Sequence, residues 1–290
     1  MEEEVAIRLA ALAAAGEEGR EGEMGRLLSE AAVLARSRPL QQAFLAAGLH
    51  SVASSLLLLP SEEREAGGRR GEGSECAVRL NMQAQAARLL GNLSAHQPLS
   101  KAAVTRAGGL LSLIAAVERG LALGELSEWE EGGEGRGGGC VAEGGSSLLV
   151  EACYALANLA SGVECAEEAS NEASPLVPLL LRLLRMRGRP HPPREERIEG
   201  EEKEELMRAE ICSQAARALS NLCGGERLRG RAEERLHAKL SQEGAIEEAT
   251  EARTSRPRRP LASSPPLRLP PLPLPHTNPY LHPPLVARIE

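Results

Sequence analysis

The sequence contains very few aromatic residues: one Phe, two Tyr and one Trp among 290 residues. Hydrophobic residues still make up 42% of the chain, so a folded core must be built mainly from Leu, Ala, Val and Ile. Such a core suits helices, whereas large β-sandwiches and barrels draw on aromatic and β-branched side chains. The composition therefore predicts an all-α protein.

The sequence also lacks the patterns of several classes of functional site. Its six cysteines include no CxxC pair and no cluster with the spacing of metal ligands, so we expect reduced thiols such as Cys153 and Cys223 in the core. No P-loop, GxSxG or HExxH motif is present, and a formal GxGxxG at 133–138 follows no strand pattern. We therefore expect no enzyme active site, no metal and no cofactor.

The lengths of the apolar runs indicate where the protein is located, and its charge indicates which partners it can bind. No apolar run approaches the roughly 20 residues that span a bilayer, and residues 2–4 are glutamates where a signal peptide has basic residues. A cytoplasmic protein without a membrane span is expected, with the nucleus as an alternative. Residues 251–290 contain six arginines and two glutamates, so the whole-chain charge of −7 leaves −11 on the first 250 residues. This acidic body disfavours nucleic acid and is compatible with a basic protein partner.

Three segments share one helical pattern that ends in Asn-Leu. They are AQAARLLGNLS at 84–94, VEACYALANLA at 150–160 and SQAARALSNLC at 213–223. In each segment a Leu stands two residues before the Asn and an Ala stands six residues before it. Small residues let neighbouring helices approach closely, and leucines fill the core between them. The pattern predicts three equivalent helices.

A second shared pattern precedes these helices. A short helix, a turn and an apolar helix are indicated at 38–59 with Gly48 at the turn, and at 98–117 with Gly108 and Gly109; 175–186 supplies a further apolar helix. Aligning Gly48 with Gly108 places Val33-Leu34 near the Asn-Leu pair, so the first unit lacks the asparagine. Polar segments near 63–75, 120–147 and 188–205 interrupt every unit at the same place. Without them each unit has about 42–45 residues, as in helical repeat proteins.

The short helix, the Ala-Gly-Gly turn, the apolar helix and the AxxALxNL helix together resemble the armadillo repeat family. The resemblance implies a right-handed superhelical solenoid of about four degenerate repeats over residues 26–252. An acidic helical lead-in at 1–25 precedes it, and a Pro/Arg-rich disordered tail at 253–290 follows it. The polar inserts are expected to be disordered, and the protein is expected to be a monomer.

The resemblance also implies a binding groove. Third helices of armadillo repeats line a concave surface, where the asparagine commonly bonds the backbone of an extended peptide. Residues four and seven positions before the asparagine share its helical face. The implied groove residues are Gln85, Arg88, Asn92, Glu151, Tyr154, Asn158, Gln214, Arg217 and Asn221. The alternative is that the asparagines bridge adjacent helices, since buried amides usually find partners within the protein.

Arg88 and Arg217 stand where nuclear-import armadillo receptors have tryptophans. Two arginines there disfavour a strongly basic import signal and favour carboxylate-bearing or mixed ligands. The alternative is that both arginines are merely solvated.

The expected function is a non-enzymatic scaffold that holds a peptide-like partner segment. An alternative comes from ARLLGNLSAHQPLSKAAVTRAGG at 87–109, which resembles the Smg-type small-GTPase dissociation stimulators. That resemblance implies an exchange factor or chaperone for small GTPases. In the tail, PLRLPPLPLP at 266–275 is a candidate ligand for SH3 or WW domains, and a simple disordered tail is the alternative.

Overall fold

The computed structural model describes residues 11–12, 14–16, 19–60, 72–130, 139–186, 199–223 and 231–242. In these ranges the regular secondary structure is helical and no strand occurs, which confirms the predicted all-α class. The first ten residues of the expected lead-in, the tail at 253–290 with its Pro-rich segment, and the GxGxxG pattern lie outside the described residues.

From residue 21 onwards the structure describes helices of 7 to 25 residues. Their bounds are α1 Glu21–Leu34, α2 Arg38–Ala46, α3 Leu49–Leu57, α4 Glu72–Leu93, α5 Pro98–Arg106, α6 Gly109–Glu130, α7 Gly139–Leu159, α8 Val163–Ala169, α9 Leu176–Arg185, α10 Glu199–Cys223 and α11 Arg231–Gln242.

Local sequence signals explain the boundaries of the short helices. Proline stands in the first turn of α2 and of α5, where its missing N–H costs no hydrogen bond. Gly48 ends α2 with a φ of 78°, and Gly108 ends α5 with a φ of 81°. Glycine takes this left-handed conformation without a steric penalty from a Cβ, so the next helix starts at once in a new direction. Both turns lie where the sequence indicated them.

The helices repeat in groups of three. The groups are α2–α4, α5–α7 and α8–α10, with α1 before them and α11 after them. We call α4, α7 and α10 the third helices. Each packs against the corresponding helix of the next group, α4 on α7 and α7 on α10, and α1 packs on α4 in the same way. The other two helices of each group follow the same order. Of the second helices, α3 packs on α6 and α6 on α9. Of the first helices, α2 packs on α5, α5 on α8 and α8 on α11.

The core lies between these rows and is built almost wholly from Leu and Ala. The leucines two residues before each Asn and the alanines six residues before it are all buried, as the pattern predicted; they are Leu90, Leu156, Leu219, Ala86, Ala152 and Ala215. The single phenylalanine, Phe44 of α2, is completely buried. Burial of these apolar surfaces is the main favourable contribution to folding of the helices.

The helices extend into the segments expected as inserts. Residues 120–130 continue α6 and residues 139–147 begin α7, so the expected insert at 120–147 contains regular structure at both ends. Leu121 is buried within this segment, and Leu148 is buried directly after it. A Cβ on Gly120 would lie 2.9 Å from Cβ of Leu149, so α6 and α7 are in close contact where the glycines suggested a linker. Likewise α4 starts at 72 and α10 at 199; residues 61–71, 131–138 and 187–198 are outside the described ranges.

Candidate functional site

The nine residues of the implied groove lie on the three third helices, three on each. We call them the third-helix stripe: Gln85, Arg88 and Asn92 on α4, Glu151, Tyr154 and Asn158 on α7, and Gln214, Arg217 and Asn221 on α10. Spacings of three, four and seven residues put each trio on one face of its helix. Packing of the third helices in order then places the trios side by side.

The asparagines connect neighbouring helices. Each Nδ2 donates a hydrogen bond to a backbone carbonyl of the helix stacked before its own, in α1, α4 and α7 respectively: Asn92 to Ala32 at 2.7 Å, Asn158 to Gly91 at 2.9 Å and Asn221 to Ala157 at 2.8 Å. The backbone carbonyl of Asn92 also accepts a hydrogen bond from Nε2 of the buried Gln41 in α2, at 2.9 Å. The internal bridging that the sequence left as an alternative is thus present in all three cases.

The bridges define a common register. The acceptors Gly91 and Ala157 each immediately precede the asparagine of their own helix. The same relation at Ala32 puts Val33 of α1 at the asparagine position, close to where the glycine alignment placed it. The Val33 side chain is 51% exposed and offers no hydrogen-bonding group. The series of bridging amides therefore begins at α4, with α1 supplying only an acceptor.

At Gly91, α4 and α7 pack so closely that there is no room for a side chain. A Cβ there would lie 2.9 Å from Cδ1 of Tyr154 and 3.2 Å from Cα of Ala155. A glycine inside a helix costs about 1 kcal/mol relative to alanine, and here it makes room for the neighbouring helix. This close contact at Gly91 was not predicted, although an isolated glycine within a strong helical pattern is a signal for one.

Arg217 is held in place by side chains of two helices. Its Nη2 donates to Oδ1 of Asn158 at 2.8 Å, and its Nη1 lies 3.4 Å from Oε1 of Gln214. The guanidinium carbon is 6.0 Å from the ring centroid of Tyr154, within range of a cation–π interaction. Arg217 therefore forms specific contacts across α7 and α10 and is more than a solvated surface residue.

Arg88 occupies the same position on α4 but has a different partner. Its Nε lies 4.0 Å from Oε1 of Glu151 on α7, and about 30% of each side chain is exposed. Burial raises the pKa of Glu151 above its ordinary value, while the positive charges of Arg88 and Arg36 oppose that rise. Arg36, in the turn after α1, is a charged neighbour of the stripe that the sequence analysis missed.

The glutamines differ as well. Nε2 of Gln214 donates to Oε1 of Glu210 at 2.7 Å, one turn earlier on the exposed side of α10. The side-chain oxygen of Gln85 is shielded from solvent and has no hydrogen-bond partner among the described residues. A buried amide oxygen without a donor is uncommon and costs free energy. The two glutamines therefore have different surroundings, although they occupy the same position on their helices.

The described ranges offer no group of three or more His, Cys, Asp or Glu side chains that could hold a metal ion. Cys153 and Cys165 are buried among apolar side chains, and burial raises the pKa of both thiols, that of Cys165 to about 12.

Within the same ranges no single helix is long and apolar enough to cross a membrane. By length and composition alone, two sharply bent helix pairs pass that test, Pro98–Arg106 with Gly109–Leu123 and Gly144–Leu159 with Val163–Ala169.

No protein-family model matches the chain, and no curated protein sequence matches it significantly.

Proposed function

We propose that the chain is a non-enzymatic scaffold whose helices form an armadillo-like right-handed solenoid and hold an extended partner segment along the third-helix stripe. The observation that supports this proposal is the register of the bridging asparagines. Each of three amides is bonded to the carbonyl just before the asparagine position of the preceding helix, and together they align three trios of polar residues on neighbouring helices. A row of evenly spaced polar groups suits a partner in extended conformation.

Within the stripe the residues take different roles. Asn92 and Asn158 are only 6% and 3% exposed, and their amides are engaged with neighbouring helices. We infer that these asparagines set the spacing between the third helices. The residues four positions before them contact the partner directly. Arg88, Tyr154 and Arg217 are partly or fully exposed and present two charges and a ring.

Charge reversal within the stripe tests the scaffold function. Proteins captured from native lysate on the wild-type chain are compared with those captured on Arg88→Glu, on Arg217→Glu and on the double variant. Partners of the stripe should be lost from the variants and kept by Arg235→Glu, a matched reversal at an exposed site on α11. Thermal unfolding of each variant shows that it is folded. Full retention of all partners by the folded double variant would falsify the assigned surface.

Regulation of small GTPases ranks second. The net charge of −11 on the first 250 residues favours it, because prenylated GTPases of this kind carry polybasic tails. The arginines of the stripe count against it, since they would repel such a tail. A nucleotide-release assay on a panel of prenylated, polybasic GTPases separates the two functions. Faster nucleotide release would support exchange activity. If release is accelerated from no GTPase in the panel, exchange activity is excluded.

A further inference from the structure

We propose that the partner segment is acidic, and that Arg88 binds its carboxylate in place of Glu151. This inference rests on the proposed scaffold function and adds the chemistry of the partner and the position of its anchoring group. It follows from a difference between Arg88 and Arg217, which stand at equivalent positions on α4 and α10.

Arg217 bonds to the asparagine of the preceding third helix, Asn158. The equivalent position before Arg88 is Val33 on α1, which has no acceptor for a guanidinium. Arg88 instead lies beside Glu151 on the following helix, with a Nε to Oε1 separation of 4.0 Å, too long for a hydrogen bond. Within the described part of the chain its guanidinium makes no hydrogen bond. The N–H donors of Arg88 are therefore all available, whereas Nη1 and Nη2 of Arg217 already have partners within the protein.

The charges around Arg88 favour a negatively charged ligand. Arg88 and Arg36 both act electrostatically on Glu151, so this end of the stripe carries two positive charges and one negative charge. A lysine or arginine of a partner would meet two like charges. A carboxylate would gain a bidentate, charge-assisted pair with Arg88, which is about twice as strong as a neutral hydrogen bond.

Glu151 completes the subsite. Gln85 lies almost one turn before Arg88 on the same face, but its side-chain oxygen is shielded from solvent and is assigned no contact with the bound segment. Glu151 partly neutralises Arg88 in the absence of a partner. An incoming carboxylate must compete with Glu151, so Glu151 lowers the affinity for acidic segments.

A displayed library of short random peptides, selected on the full wild-type chain, tests the inference. Selected peptides should be enriched in Asp and Glu. Fluorescence anisotropy with one such labelled peptide should show about tenfold weaker binding to Arg88→Gln and about threefold tighter binding to Glu151→Gln. Arg235→Gln, the matched control on α11, should bind as the wild type does. A peptide with its acidic residues replaced by Asn and Gln should bind weakly and without dependence on Arg88.

The outcomes separate the two proposals. Enrichment of Lys and Arg, or acidic peptides that bind Arg88→Gln unchanged, would overturn the acidic-partner inference. If such peptides still lost affinity in Arg217→Gln, the scaffold function would stand. Peptides that bind variants of both arginines as tightly as wild type would overturn the scaffold function too, as would a selection that enriches no peptide.

Discussion

The side-chain amide of Asn158 donates to the backbone carbonyl of Gly91 at 2.9 Å. The oxygen of the same amide accepts a hydrogen bond from Arg217 at 2.8 Å. One side chain on α7 thus connects α4 on one side with α10 on the other. Asn158 and Gly91 are both buried, so the Gly91 carbonyl has no ready replacement in water, whereas the guanidinium of the exposed Arg217 can also bond solvent. The position that the family resemblance gave to a ligand contact is therefore also a structural link in the row of third helices.

Replacing Asn158 with leucine should lower the free energy of unfolding by about 2–3 kcal/mol, because the Gly91 carbonyl and the Arg217 guanidinium both lose a partner. Asn221→Leu breaks a single, part-buried bond and should cost about 1 kcal/mol. Urea unfolding followed by circular dichroism measures both losses. The control is Asn81→Leu at an exposed site of α4, where little change is expected. Equal effects at Asn158 and Asn81 would show that the bridge contributes nothing to stability.

Replacing Gly91 with alanine should destabilise the protein by about 1–3 kcal/mol, although alanine is the better helix former. The new methyl group would lie 2.9 Å from the Tyr154 ring and 3.2 Å from the α7 backbone, so the helices must move apart. The matched control is Gly22→Ala on the exposed side of α1. A Cβ there meets only Val78 at 3.8 Å, and the substitution should be neutral or stabilising.

A double-mutant cycle of Gly91→Ala with Tyr154→Ala isolates the contact. Removing the ring should relieve part of the loss caused by the methyl group, which appears as a favourable coupling energy. Simple additivity of the two losses would assign the cost of the methyl group to the α7 backbone at Ala155 and not to the ring.

Much of the fold was predictable because its signals are local. Apolar spacing, the glycine turns and the Asn-Leu register lie within single segments and indicated the all-α class, the order of helices in each unit and the buried Leu and Ala positions. The ends of α6 and α7 were not predictable, because Gly120 near a glycine-rich run looks like a linker until Leu149 is known to pack against it.

Less of the candidate site could be predicted from the sequence. Arg88 and Arg217 have identical spacing from an asparagine, yet their environments differ. Arg217 bonds to Asn158 on the preceding helix, whereas the equivalent position before Arg88 is Val33, whose side chain has no acceptor. That difference depends on residues about sixty positions away. The pattern placed the stripe, but it left open whether the asparagines bridge helices, and it gave no sign of Arg36.

Thiol accessibility should follow burial. Cys153 of α7 and Cys165 of α8 are each 1% exposed, whereas the Cys76 side chain of α4 is only partly buried. Alkylation requires an accessible thiolate, which burial and a raised pKa both oppose. With iodoacetamide at about pH 8, the native protein should be labelled at Cys76 and spared at Cys153 and Cys165, as measured by mass spectrometry of its peptides. In urea all three should react. Native labelling of Cys165 at the rate of Cys76 would contradict the packing of α8.

The last prediction concerns the pH dependence of stability caused by Glu151. Burial raises the pKa of this carboxyl above its ordinary value of 4.5, with Arg88 and Arg36 acting in the opposite direction. An acid whose pKa is higher in the folded state binds its proton more tightly when folded, so it favours folding at low pH. That contribution is lost as the pH rises from the unfolded pKa through the folded pKa. Wild type should therefore lose stability relative to Glu151→Gln over this interval.

Urea unfolding of wild type and Glu151→Gln from about pH 4 to pH 7 measures the effect. The advantage of the glutamine variant should be smallest at the acidic end and should reach a plateau above the folded pKa. Adding Arg88→Gln to the wild type removes an opposing charge, raises the pKa of Glu151 further and extends the interval to higher pH. The exposed Glu167 of α8 provides the control, because Glu167→Gln should change stability little at any pH. An advantage of Glu151→Gln that grows as the pH falls would mean that the attraction of the two arginines outweighs burial, and that Glu151 holds Arg88 too firmly for a partner's carboxylate to displace it.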